Sequence, residues 1–350
     1  MKTMTPMLIG AMAALAAGHA AAQSNVTQSN VTLYGRINTT AEIRKVSGDE
    51  STKGLFNNAS RWGVKGTEDL GGGWSALFQL ESGFDSDTGQ FTNNGGQGAT
   101  PGIFNRESFA GLSSFLGTLR AGRITSPVYF ASADYISMHN HDTGVSSDFL
   151  FGFQATGGNN NNSIAYKTPS FGGADIEVAY SFNANAQESP GSTNQRNTQV
   201  AVNWVGGKLH LGGGFAQMNN KQVTPNVKDE TAVVRGLYEI GAFTVGAYYE
   251  RSKLNVAGQR RSRDNYRLAG MFALGASEFH LNFGLADDFS GLSSSGAKQA
   301  TVGYNYNLSK RTKVYGFYTQ VDEDSNSDYY VGADPGDKLS SFAVGLRHNF

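Results

Sequence analysis

From Val31 onward the chain alternates. In "VTLYGRINTTAEI" the residues Val31, Leu33, Gly35, Ile37, Thr39, Ala41 and Ile43 share one parity, and Tyr34, Arg36, Asn38, Thr40 and Glu42 the other. A period of two sends successive side chains to opposite faces of a strand, so this stretch predicts a β-strand with one apolar and one polar face. The same rhythm runs through "DIEVAYSF" (175–182), "TAVVRGLYEI" (231–240), "YRLAGMFAL" (266–274), "ATVGYNYNL" (300–308) and "TKVYGFYTQ" (312–320). It reaches the last residue, because "SFAVGLRHNF" (341–350) keeps Phe342, Val344, Leu346 and Phe350 in phase. A patterned strand that runs to the carboxyl end must be paired, since an untied terminus frays in water.

The breaks between strands are of two kinds. Short ones, such as "DLGGG" (69–73), "SFGG" (170–173), "LGAS" (274–277) and "LSKR" (308–311), alternate with long polar ones at 45–58, 86–103, 184–196, 219–228 and 323–338. One interruption, about residues 125–160, exceeds all others. Counting between the breaks predicts about sixteen strands, each long enough to cross a bilayer at a tilt, for which 9 to 11 residues suffice. Short turns at one end and long loops at the other are the signature of a transmembrane antiparallel β-barrel with periplasmic turns and extracellular loops. The final strand is expected to pair with the first near Val31 to Arg44 and close the sheet, with Phe350 in an outer aromatic girdle.

The first 22 residues stand apart. A lone Lys2, an apolar stretch from Met7 to Ala17 and the small residues Ala20, Ala21 and Ala22 read as a cleaved signal peptide, too short to span a membrane. Residues 23–350 are then a single barrel domain. Composition agrees: charged residues are 16%, against roughly 25% in soluble domains, while glycine supplies 45 of 350 residues and proline only 7. With no cysteine in a secreted chain, stability has to come from something other than disulfides, such as a closed hydrogen-bond ring. A net charge of −1 gives no reason to expect a nucleic-acid partner.

Several runs carry a family resemblance. "SNVTLYGRIN" (29–38), "SRWGVKGTEDLGGGWSALFQLESGFDSDTG" (60–89), "FNRESFAGLSSFLGTLRAGR" (104–123), "NNSIAYKTPSFGG" (161–173) and the closing "GLRHNF" together resemble the Gram-negative general porins, in particular their β-proteobacterial branch. The resemblance implies a sixteen-stranded homotrimeric barrel whose third extracellular loop folds into the lumen. Trimer contacts would come from outer residues of the first and last strands, with 86–103 as a latch onto a neighbour. The 125–160 interruption falls where the third loop should be, and its acids are Asp134, Asp142 and Asp148.

A wet lumen needs polar walls, and the sign of the charges at its narrowest point selects the ion. On the parity opposite the lipid-facing residues stand Arg36, Arg61, Lys65, Arg106 and Lys167. Arg61, Arg106 and Arg123 match the motif positions of the family's basic wall. Arg120 and Arg123 have opposite parity, so at most one obeys strict alternation, and Arg123 is favoured for its place beside the incoming loop. Guanidinium groups stay charged at any working pH, and Asp134, Asp142 or Asp148 opposite them would set a transverse field. His139 and His141 with Asp142 have a metal-like spacing but no further ligands nearby in sequence, so they read as loop residues.

These readings converge on a passive outer-membrane channel for small hydrophilic solutes and ions, with a weak anion preference and no cofactor. Its partners would be two further copies of itself, outer-membrane lipid and lipopolysaccharide, and the barrel assembly machinery. A barrel enzyme would need a Ser/His or Asp/His constellation at the rim; beyond residue 22 the histidines are 139, 141, 210, 280 and 348, with no serine motif beside them. An adhesin or receptor acting through its surface loops is the other alternative.

Overall fold

The computed structural model describes residues 29–92, 102–137, 144–184, 195–220, 227–327, 329 and 334–350. The expected signal peptide, His139, His141, Asp142 and residues 93–101 of the expected latch lie outside them. Seventeen strand segments follow in order: β1 (Ser29–Val46), β2 (Thr52–Asn57), β3 (Arg61–Gly71), β4 (Trp74–Gly83), β5 (Ser108–Ser114), β6 (Gly117–Thr125), β7 (Asn159–Lys167), β8 (Ala174–Ser181) and β9 (Arg196–Gly206). The second half holds β10 (Leu209–Asn220), β11 (Val227–Ile240), β12 (Phe243–Val256), β13 (Gln259–Leu274), β14 (Ser277–Ala286), β15 (Ala297–Asn307), β16 (Thr312–Glu323) and β17 (Lys338–Asn349). All belong to one antiparallel sheet in which consecutive strands pair, except β2 with β3, and β17 returns to β1.

The ring has sixteen staves because β2 and β3 are one stave with a break. Both pair with β1, at Thr39↔Asn57 above the break and Arg36↔Arg61 below it. One residue more lies on the broken side than on β1, a bulge in which Ala59 takes φ +59°. β5, at 7 residues, and β8, at 8, are shorter than expected. Ahead of β5 the chain still bonds to β4, through Glu81 N to Glu107 O (2.7 Å) and Arg106 N to Glu81 O (3.1 Å), so irregular pairing extends the stave.

Side-chain burial is inside out. The apolar parity is exposed, with Leu33 at 62% and Leu281 at 64%, while Asn38, Thr40, Glu42 and Thr301 on the other parity are buried. A water-soluble sandwich buries its apolar face, so this reversal places the apolar belt against hydrocarbon. Closure removes the edges that hydrocarbon would leave unsatisfied.

The seam differs from expectation at one end. β17 pairs from Arg36↔Asn349 to Val46↔Leu339, and Phe350 exchanges backbone hydrogen bonds with Gly35 (3.1 and 3.0 Å). Val31 to Tyr34 pair with β3 alone among the described strands, since the pairing with β17 ends at Arg36↔Asn349. The Phe350 ring lies over Gly35 on the outer face: a Cβ there would collide with Phe350 Cζ and come within 2.7 Å of the Arg61 carbonyl oxygen. Only glycine lets ring and backbone approach so closely.

Gly35→Leu is therefore expected to abolish most of the folded, heat-modifiable species on gels. Gly236→Leu should fold like the parent, because its added Cβ meets nothing nearer than Leu211 Cδ2 at 3.7 Å.

Candidate functional site: the lumen and its inward loop

The described parts of the segment between β6 and β7, residues 126–137 and 144–158, run inside the ring. It forms the short helices α1 (Pro127–Ala131), α2 (Ala133–Ile136) and α3 (Phe153–Thr156) and one 3₁₀ turn at Gly144–Ser146. Ser126 caps α1 by accepting from Tyr129 N, and Pro127 at the first helical position needs no amide partner. Val128, Ala131, Ala133 and Ile136 are buried against Ala201, Ala216, Val233 and Leu237 of the wall. Val145 packs on Tyr315, Phe317 and Leu339 across the ring.

Polar hooks from the wall hold this loop by its backbone. Gln199 accepts from the Ser126 hydroxyl (2.6 Å) and donates to the Thr156 carbonyl (2.7 Å), gripping both ends. Arg235 donates to the Ala131 carbonyl (2.8 Å) and lies 3.5 Å from the Tyr135 ring centroid. Glu250 accepts from Gly152 N (3.0 Å), Asn265 donates to the Leu150 carbonyl (2.8 Å), and Gln299 donates to the Ser147 carbonyl (2.7 Å). These hooks stand on β9, β11, β12, β13 and β15, so the loop leans on that side of the ring. Their inward parity was visible in the sequence, as in "DNYRLAG", but their loop partners were not.

The opposite wall, β1 to β8, carries the cations expected from the sequence. Strand register brings three arginines into one band, since Arg36 faces Arg61, Arg61 faces Gly83 and Glu81 bonds to the backbone of Arg106; Arg123, opposite Ser108 on the other parity, joins their level through its bonds to the Arg106 and Asn105 carbonyls. Arg36 Nε donates to Asn349 Oδ1 (2.9 Å). Arg106 is ion-paired with Glu81, which also accepts from the Tyr34 hydroxyl (3.0 Å). Arg123 Nε donates to the carbonyls of Arg106 (2.9 Å) and Asn105 (3.1 Å), and its Nη1 bonds Asn161. Lys65 Nζ lies 5.0 Å from the Tyr34 ring centroid.

Arg120, rather than Arg123, obeys strict alternation. It is ion-paired with Glu177 and lies 5.2 Å from the Phe109 ring centroid. The register slips between Gly122 and Ile124 because β7 bulges there, with Asn162 at φ +50°, and Arg123 sits at that slip. Two expected constriction residues stand elsewhere. Lys167 ends β7 at the short-turn side and pairs with Asp175 (3.1 Å), so it belongs to the periplasmic mouth. Asp148 turns away from the arginine band: it is ion-paired with buried Arg267, and it accepts from the Tyr248 hydroxyl (2.6 Å) and Leu150 N (3.0 Å). A carboxylate so enclosed is a loop anchor, because removing it from water is offset only by such partners. Asp134 lies half-buried in α2.

Among the described residues no three His, Cys, Asp or Glu side chains converge as metal ligands. His210 hydrogen-bonds Tyr135 (2.9 Å) and His348 bonds Thr312 (2.8 Å).

Asp148→Ala would leave Arg267 buried without its carboxylate, at a cost of about 3–5 kcal/mol. The urea midpoint of refolded protein should fall and open-channel noise should rise, and Asp148→Leu combined with Arg267→Met should recover most of the loss.

Comparison with known proteins gives a consistent picture. Residues 10–326 match the family described as Gram-negative porin. The chain is 30% identical to outer membrane porin protein 32 of Delftia acidovorans, over 97% of this chain and 98% of that protein. It is 29% identical to an outer membrane porin protein of Bordetella pertussis, over 97% and 98%. Among solved structures it is similar to an anion-selective porin from Comamonas acidovorans, with TM-score 0.74 and 27% identity over 92% of this chain and all of that one.

Proposed function

The chain belongs to the Gram-negative porin family, and on that premise we propose that this outer-membrane channel passes small hydrophilic solutes passively with a preference for anions. The observation that carries the preference is the band of Arg36, Arg61, Arg106 and Arg123 on the wall opposite the loop's hooks, while the loop's own Asp148 is engaged by Arg267. In a narrow aqueous gap the local excess of one sign raises the concentration of the opposite ion, whatever the net charge of the chain. The similar structure named as anion-selective supports the same sign.

The working form is a homotrimer of independent pores, released from a precursor by cleavage after residue 22 and inserted by the barrel assembly machinery among outer-membrane lipid and lipopolysaccharide. The outer faces of β1 and β17 supply the trimer contacts. Transport needs no cofactor and no bond-making chemistry, only hydrated passage past the 125–160 loop. Arg61, Arg106 and Arg123 are its central wall cations, with Arg36 and Lys65 flanking them and Asp134 a loop carboxylate facing them.

Purified, heat-modifiable protein in a planar bilayer should produce current steps grouped in threes, and proteoliposomes should swell in small sugars at rates that fall with sugar size. Silent bilayers and unswollen liposomes from folded protein would defeat the channel reading.

A further inference from the structure

The outer wall between β9 and β12 carries a groove of about 600 Å³, lined by Val202, Trp204, Leu211, Val234 and Tyr249. It exists because Gly213 stands on the outward parity of β10 between Val202 and Val234. Gly213 has φ +153°, and a Cβ there would collide with the Val233 carbonyl oxygen, so no larger residue fills the position. Ala232 leaves the next outward position equally low, beside Arg251. Elsewhere the same belt is raised by Leu281, Phe283 and Phe342.

Directly above the groove, toward the long-loop end, the outward positions turn basic. Arg251 follows Tyr249 on β12, Lys253 follows Arg251, and Lys228 on β11 and Arg260 on β13 flank them. All four are exposed. Two carboxylates share this face: Glu230 pairs with Arg260 (2.7 Å), and Asp264 pairs with Arg251 (3.3 Å) while accepting from the Tyr249 hydroxyl (2.7 Å). Asp287 lies one strand further along, its amide bonded to the Asp264 carbonyl (2.9 Å). Lys228 and Lys253 have no ion pair among the described residues, so the face above the groove is net positive.

We propose that this face binds the phosphorylated, acylated glycolipid of the outer leaflet, the lipid A portion of lipopolysaccharide, with one acyl chain in the groove and phosphates on Arg251, Lys253, Arg260 and Lys228. The apolar part lies within the belt and the cations at its outer rim, which is the order of an amphiphile inserted from outside. The cations spread over three strands, about 10 Å at the usual strand spacing. One phosphodiester headgroup spans only part of that width, whereas a bis-phosphorylated disaccharide reaches across it. In the ring β10 to β12 lie far from β1 and β17, so lipid here does not compete with the proposed trimer contacts.

Native mass spectrometry of detergent-solubilised trimer, titrated with lipid A or phosphatidylglycerol, tests the assignment. The parent protein should retain lipid A in preference to phosphatidylglycerol. The triple variant Arg251→Ser, Lys253→Ser, Arg260→Ser should bind lipid A roughly 100-fold more weakly. Ala232→Phe, which fills the groove without touching charge, should weaken lipid A but leave an acyl-free bis-phosphorylated disaccharide unaffected. Both variants should keep parental heat-modifiability and unit conductance. Equal lipid A binding by parent and triple variant would overturn the proposal, as would equal retention of the two lipids. Loss of the oligomer in the triple variant with lipid A binding intact would also overturn it, by making the face a protein contact.

Discussion

A peptide group left unpaired in hydrocarbon costs several kcal/mol, and every level of this structure follows from avoiding that cost. The sheet has to close, so β17 returns to β1 and the last residue of the chain bonds to Gly35. A closed ring in lipid has to present apolar side chains outward, which leaves the polar parity to line the interior. The alternating pattern of the strands is thereby turned inside out relative to a soluble sheet, and the polar interior fills with water and with one long loop.

That loop divides the lumen into two unlike halves. On the β9 to β15 side, Gln199, Arg235, Glu250, Asn265, Arg267 and Gln299 are consumed in holding loop backbone or loop carboxylate. Arg267 and Asp148 neutralise each other, while Arg235 and Glu250 are buried against loop backbone. On the β1 to β8 side the arginine band stands on strands the hooks do not use, and Arg106 keeps its place through Glu81 and Tyr34. The proposed anion preference comes from this unequal distribution, since an even spread of the same residues would cancel.

Much of the ring was legible because a period of two needs only local information: the strands, the short and long connections, the reach of the last strand to Phe350, and the inward parity of Arg36, Arg61 and Lys65. Irregular backbone was not legible. The break at Ala59 and the bulge at Asn162 depend on positive φ at residues other than glycine, which no local composition announces. The second of these stands on β7 opposite Arg123, whose parity already differed from that of Arg120. Asp148 misled for a different reason: its partner Arg267 lies 119 residues away, so only the folded ring discloses that the carboxylate is turned from the pore. For Lys167 the missing coordinate was height along the strand, set by the turn at 168–173.

The most direct test is the zero-current reversal potential of the trimer under a potassium chloride gradient, compared with single replacements of Arg61, Arg106 and Arg123 by serine. The parent should show the sign of anion preference and each variant a shift toward cations, largest for Arg106→Ser, which also uncovers Glu81. A parent selective for cations, or three variants indistinguishable from it, would contradict the claim that this wall sets the sign of the pore.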